Sequence, residues 1–212
     1  MSNWVEWFNK DLGKYPSPWA YLFDNAQYML PVVRAIRRHC SPPASLLEVG
    51  CGVGIASMIF SAHGYEVVGI DNDPSVLTMA HEMPWIATRG GSLVFKMGSA
   101  YHLPSPFNIA TSLGLIEHED WYDQVHMLRQ LRLVSNYHVV VIPSPLQLRL
   151  THPTMGERSI SLRRLVNLCK EAEWEVVEAF GFGRVRSFIP ATRYTSLSFC
   201  VIGVSNHRGY NG

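Results

Sequence analysis

The sequence predicts an α/β protein built on a mostly parallel sheet, and three observations carry that expectation. Short runs rich in valine, isoleucine and leucine alternate with stretches of helical period, as βαβ units require. One such run, Leu46 to Val49, passes directly into a glycine turn and then a helical pattern, so strand, tight turn and helix start follow without a loop. Near the end of the chain, runs at Trp174–Phe180 and Thr195–Val204 are joined by a segment without helical period. A crossover without a helix suits antiparallel pairing, so one strand near the edge should be reversed. A chain of 212 residues fits one such domain. Residues 1–43 read as an N-terminal helical cap, 44–205 as the core and 206–212 as a tail.

Taken in order, Trp4, Trp7, Phe8 and Tyr15 fit one helical face before Pro16 and Pro18 break the pattern. A second helix over residues 19–39 carries Leu22, Ala26, Met29, Leu30, Val33 and Ile36 on a broad stripe, with a bend expected at Pro31. Ile55–His63 reads as the helix after the glycine turn, and Tyr65–Asp71 as a second buried strand ending in an acid. Pro74 starts a helix through Glu82, with Asp73 as its N-cap. Leu93–Gly98 and Asn108–Leu115 are the third and fourth strands, Trp121–Leu133 a helix, and Tyr137–Ile142 the fifth strand, stopped by Pro143 and Pro145. Ser144–Arg158 shows no clear period and reads as a long loop suited to wall a substrate site. Ser159 or Ser161 caps a helix through Ala172, marked by Leu162, Leu165, Val166 and Cys169. Arg184, Arg186 and Arg193 lie between the last two strands, where they suit either a solvated connection or an anion site.

Composition narrows the function. Eighteen basic and seventeen acidic residues leave a net charge of +1, without the bulk positive field that non-specific nucleic-acid binding uses. No basic segment followed by an apolar run opens the chain, and no stretch approaches a membrane span, so a non-exported, membrane-free protein is expected. Cys40, Cys51, Cys169 and Cys200 are scattered without a paired motif, which fits reduced thiols in a cytoplasm better than disulfides or zinc.

The glycines at 50, 52 and 54 permit positive φ and close approach to a ligand. A dinucleotide fingerprint would need glycine or alanine at position 55, where Ile55 stands. Glu48, two residues before the first glycine, would repel a pyrophosphate and attract an ammonium group. Cys51, in the turn near a helix start, suits a packing role or a thiol of lowered pKa. Asp71 ends the next parallel strand, placed to accept hydrogen bonds from ribose hydroxyls. After the fourth strand come Ile116, Glu117, His118, Glu119 and Asp120, at the strand end where α/β ligands sit. An imidazole titrates near neutral pH, so His118 suits a proton acceptor or a residue that positions substrate. Glu119 and Asp120 at a helix start are better explained as dipole partners than as metal ligands, and no metal is expected.

The pattern Glu48, Gly50, Gly52, Gly54 resembles the first motif of the class I S-adenosylmethionine-dependent methyltransferases. Asp71 and the Leu115–His118 ending resemble two further features of that family, and the likeness covers about residues 20–205. It implies a Rossmann-like seven-stranded sheet of order 3-2-1-4-5-7-6 with strand 7 antiparallel, and N-terminal helices over the cofactor. It also implies S-adenosylmethionine as methyl donor, with S-adenosylhomocysteine as product. Carried over residue by residue, Glu48, Gly50, Cys51, Gly52, Gly54, Asp71, Asn72 and Leu115 would bind the cofactor. Ser99 stands where the family commonly has an acid that accepts from the adenine amino group, so Ser99 and Ala100 become pocket positions at a departure from the pattern. Glu117 and His118 would stand nearest the acceptor. The expected acceptor is a small molecule, methylated on oxygen or nitrogen, because a lid and a long loop would enclose a pocket. RNA would call for more basic charge. A protein or peptide acceptor, an RNA acceptor and a catalytically silent cofactor-binding protein stay open. A nicotinamide-dependent oxidoreductase is disfavoured by Ile55 and Glu48.

Overall fold

A computed structural model describes residues 3–83, 91–104, 106–151, 156–183 and 196–205. The chain divides into two compact units, Met1–His102 and Leu103–Gly212.

The first unit begins with α1 (Asn3–Leu12) and α2 (Pro18–His39). Ser17 caps α2 by accepting from the Ala20 N–H at 3.2 Å, and Pro18 supplies the fixed φ favoured at a first helical position. The helix continues through Pro31. Trp4, Phe8, Leu12, Tyr15 and Leu22 pack on a buried cluster of Val5, Tyr21, Val53, Met58, Val76 and Met83, so the N-terminal aromatics are tied to the core. Then come β1 (Ser45–Val49), α3 (Ile55–Ala62), β2 (Glu66–Asp71), α4 (Pro74–Glu82) and β3 (Ser92–Met97). Both neighbouring pairs are parallel, with Glu48 opposite Gly69 and Gly69 opposite Phe95. Four consecutive residues of β1 are buried, which explains why it reads as an unbroken apolar run rather than an alternation.

The second unit contains β4 (Phe107–Leu113), a 3-10 turn (Ile116–His118), α5 (Trp121–Val134), β5 (Ser135–Pro143), α6 (Pro145–Thr151), α7 (Leu162–Glu171), β6 (Glu175–Phe182) and β7 (Ser198–Val204). Strand β4 is parallel to β5, whereas β7 is antiparallel to both β5 and β6. The seven-stranded order is β3-β2-β1-β4-β5-β7-β6, as expected from the sequence. Ser161 caps α7 by accepting from the Arg164 N–H at 3.2 Å.

Two local expectations need correction. Helix α6 occupies the start of the segment read as a loop: Ser144 Oγ accepts from the Gln147 N–H at 3.1 Å and Pro145 opens the helix. A helix this short spans too few turns to display a period. Strand β4 stops at Leu113 rather than Leu115, because Gly114 turns the chain at φ 69°. Arg184, Arg186, Arg193, His152 and the tail lie outside the described residues.

Candidate functional site

In the first unit the glycine turn is tied to the end of β2 by a set of backbone bonds. Gly50 and Cys51 N–H groups both donate to the Ile70 carbonyl at 2.9 Å, and Gly54 N–H donates to Cys51 O at 2.9 Å. Gly52 N–H donates to Asp71 Oδ2 at 2.9 Å, while Asp71 Oδ1 accepts from Asp73 N–H at 3.0 Å. Each carboxylate oxygen has two lone pairs, so half-buried Asp71 keeps acceptor capacity for hydroxyls. The turn needs its glycines: Gly50, Gly52 and Gly54 have φ of 70°, 54° and 80°, the left-handed region that costs a side chain energy. Space demands the same, since a Cβ on Gly52 would lie 2.7 Å from Phe8 Cζ and one on Gly54 would run into the Phe95 ring. Phe8 of α1 therefore sits directly against the turn. Gly54 caps α3 without a side-chain bond, and the Ser57 N–H in the first turn is engaged by the Glu48 carboxyl instead.

Glu48 is turned inward from this loop. It is 2% exposed, and its carboxyl accepts a hydrogen bond from the Ser57 hydroxyl in the first turn of α3. Gly69 opposite makes room, because a Cβ there would meet Ser57 Oγ at 2.8 Å and Phe95 Cδ1 at 2.9 Å. Burial pushes the Glu48 carboxyl up to about 8, against the Ser57 hydrogen bonds and with a small addition from Asp71. Ser57 is thus a site residue the sequence did not single out; its one signal is a hydroxyl in the otherwise apolar start of IASMIFSA. For Cys51 the open choice closes: burial, with Glu48 and Asp71 adding to it, pushes the thiol up, so it packs as a small apolar residue. Asn72 is exposed and Ala100 half-buried. Ser99 forms a single antiparallel bridge with His102, and its hydroxyl accepts from the Tyr101 N–H at 3.2 Å.

In the second unit, Gly114 N–H donates to Val141 O at 2.9 Å, and the chain then winds through the 3-10 turn that holds Glu117 and His118. Half-buried Leu115 precedes that turn. The Glu117 carboxyl is 2% exposed, and burial raises it to about 8, opposed by its own backbone N–H and reinforced by Glu157. Among the described residues its Oε2 has no hydrogen-bond partner. Its carbonyl accepts from Arg158 N–H at 2.8 Å, which anchors the stretch before α7 to the turn. His118 is half-buried. Asp120 caps α5, its Oδ1 accepting from Tyr122 and Asp123 N–H groups at 3.0 and 3.2 Å. Among the described residues no group of three acids, histidines or cysteines could hold a metal ion. Nor, among them, is any helix long and apolar enough to cross a membrane.

Residues 46–136, which span both the glycine turn and the 3-10 turn, match the family described as a methyltransferase domain. The 18S rRNA (guanine-N(7))-methyltransferase bud23 of Schizosaccharomyces pombe is 38% identical over 74 residues, 35% of this chain and 25% of the relative. The match therefore spans about a quarter of that relative's length. Among solved structures, magnesium protoporphyrin IX methyltransferase from Synechocystis PCC 6803 with bound S-adenosylhomocysteine superposes with a TM-score of 0.67 at 15% identity, covering 85% of this chain and 83% of that one. A SAM-dependent methyltransferase from Methanosarcina mazei gives a TM-score of 0.63 at 19% identity, covering 81% and 96%. At such identities the likeness is one of fold. The methyltransferase-domain match takes in the glycine turn, and the fold these solved structures share with the chain extends over four fifths of it.

Proposed function

We propose that this chain transfers a methyl group from S-adenosylmethionine to a small-molecule acceptor, on oxygen or nitrogen, as a single catalytic domain in the cytoplasm. The observation that carries the reading is the glycine turn bonded through Gly52 N–H to Asp71. That bond fixes a half-exposed carboxylate beside three left-handed glycines, where ribose hydroxyls and an approaching backbone ligand need it. Gly50, Gly52, Gly54 and Asp71 would hold the cofactor, with Asn72, Ser99, Ala100 and Leu115 as further contacts. Glu48, braced on Ser57, would set the turn and answer the cofactor's ammonium charge.

The cofactor supplies a methyl group already activated by its sulfonium charge. What the chain must do is align the acceptor, and alignment alone can supply roughly 7 kcal/mol or more of the barrier. Glu117 and His118 are the groups proposed nearest the acceptor, with His118 taking a proton from a hydroxyl or amine. Calorimetric titration tests the cofactor half: S-adenosylhomocysteine should bind at one site per chain, and no heat of binding would defeat the reading. For the proton role, His118→Ala should lower turnover and change its pH profile; full turnover at every pH would remove His118 as a base and leave the cofactor assignment intact.

A second reading has a specific observation behind it. The relative from S. pombe is described as acting on a guanine ring nitrogen of ribosomal RNA. A ring nitrogen with a free lone pair needs no base at all, so a purine acceptor would make His118 a positioning residue.

A further inference from the structure

Among the described residues of the second unit, three buried side-chain polar atoms have no hydrogen-bond partner, and two of them flank the same glycine. Ser112 Oγ lies two residues before Gly114 and Glu117 Oε2 three residues after it; both residues are 2% exposed. Native interiors rarely leave such groups unpaired, because each has given up water without a replacement. Gly114 itself is exposed, and a Cβ placed on it would have Glu117 Oε1, at 3.7 Å, as its sole described neighbour within 4 Å apart from the adjoining residues. The missing side chain therefore leaves room beside the carboxyl. Backbone bonds from Gly114 N–H to Val141 O and from Arg158 N–H to Glu117 O hold both sides of that space in place.

We propose that the Glu117 carboxyl, reached through the space at Gly114, is the recognition group for an acceptor that presents adjacent N–H donors on a heteroaromatic ring, the ring N–H and amino edge of a guanine-type base. The inference rests on the methyltransferase reading and names the substrate class of that site. A ligand that brings two adjacent N–H donors favours the ionised carboxylate that burial disfavours in the free protein, and so supplies the partners the group lacks there. Among the described residues the charge that acts on the group is Glu157, of the same sign, which leaves room for a donor from the ligand. A site built around such a hydrogen bond discriminates strongly against an analogue lacking the donor. The base can arrive as a free nucleotide or within an RNA strand, and the chemistry at Glu117 is the same.

The protein loaded with S-adenosylhomocysteine should bind guanosine monophosphate about tenfold or more tightly than inosine monophosphate, which lacks the amino group. Calorimetry of Glu117→Gln should show that difference shrink below about threefold while S-adenosylhomocysteine affinity stays within about twofold of wild type. Circular dichroism checks that the variant folds, and Ser112→Ala, which leaves the carboxyl in place, should retain the preference for guanosine monophosphate. A single-stranded RNA pentamer with one guanine, compared with its inosine counterpart, assigns the source: tighter and still amino-dependent binding marks the base as part of RNA. Equal affinity for the two nucleotides, no binding of either or of the RNA, or a preference unchanged by Glu117→Gln would overturn the inference with the methyltransferase reading still standing. Failure to bind S-adenosylhomocysteine would instead remove that reading, and this one with it.

Discussion

Replacing Glu48 with glutamine should stabilise the ligand-free protein at pH 8 and flatten its dependence on pH. The wild-type carboxyl is 2% exposed and is pushed by burial from 4.5 to about 8. Below the unfolded value both states carry the proton and pH has no effect through this group. Between the two values the folded chain keeps a proton that the unfolded chain has lost, so each pH unit removes about 1.36 kcal/mol of stability. Above the folded value the loss is complete. Across that window a single carboxyl of this kind costs on the order of 5 kcal/mol at most, a large share of the 5 to 15 kcal/mol typical of a domain. Glu117 is raised over the same window, so the wild-type slope should be steep and Glu48→Gln should remove about half of it. The amide keeps an oxygen for the Ser57 hydroxyl, so the comparison isolates the charge. Urea denaturation at pH 5, 6, 7 and 8 measures both slopes. Wild-type stability that holds level or climbs over that range, or an identical slope in the variant, would refute the reasoning.

Gly52→Ala should destabilise by about 1–2 kcal/mol for its left-handed backbone alone, with more for the contact at Phe8. Phe8→Ala should recover only the contact part in a double-mutant cycle followed by urea unfolding. Asp71→Asn places an amide where both carboxylate oxygens now accept backbone N–H bonds, so S-adenosylhomocysteine affinity should fall about tenfold or more in calorimetry. Gly203→Ala should cost about 1–3 kcal/mol in chemical denaturation, because its Cβ would lie 2.8 Å from Trp174 Cε3 in a packed core. Trp174→Phe should cost a similar amount by leaving Leu128 O without the indole N–H that it accepts at 2.9 Å.

The parts of this fold that were legible in the sequence are those set by local rules. Asp73 before Pro74 reads as a helix start in any context, and the structure has Asp73 Oδ1 accepting from Ser75 N–H at 2.9 Å. Glycines at 50, 52 and 54 read as a turn because no other residue tolerates those φ values at so little cost, and the lack of helical period in the sequence before β7 announced its reversed direction. What the sequence hid is long-range. Nothing in a linear pattern shows that Glu48 reaches Ser57 across the turn, or that Phe8 from α1 packs on Gly52. Cys51 follows the same lesson: proximity to a helix start suggested a lowered thiol pKa, yet burial and two nearby carboxyls act in the opposite sense. Helix α6 escaped because an apolar stripe needs more than two turns to declare itself, and its signal was the Ser144-Pro145 pair instead.

The two units repeat one construction with one telling difference. At the end of β1, Gly50 N–H continues the ladder to Ile70 O before the chain turns at positive φ; at the end of β4, Gly114 N–H does the same to Val141 O. Each turn has a buried carboxyl close by in sequence, Glu48 before the glycine and Glu117 after it, both raised to about 8. Glu48 is answered within the fold by Ser57, whereas Glu117 Oε2 is left unanswered. A carboxyl with an internal partner organises structure, so its loss is read in stability and its pH dependence. One kept buried without a partner costs stability unless a ligand completes it, so its loss is read in binding. Glutamine at either position should flatten the pH dependence of stability, and the two should separate in binding: Glu48→Gln acts at the cofactor turn, whereas Glu117→Gln alters acceptor choice while cofactor affinity stays close to wild type.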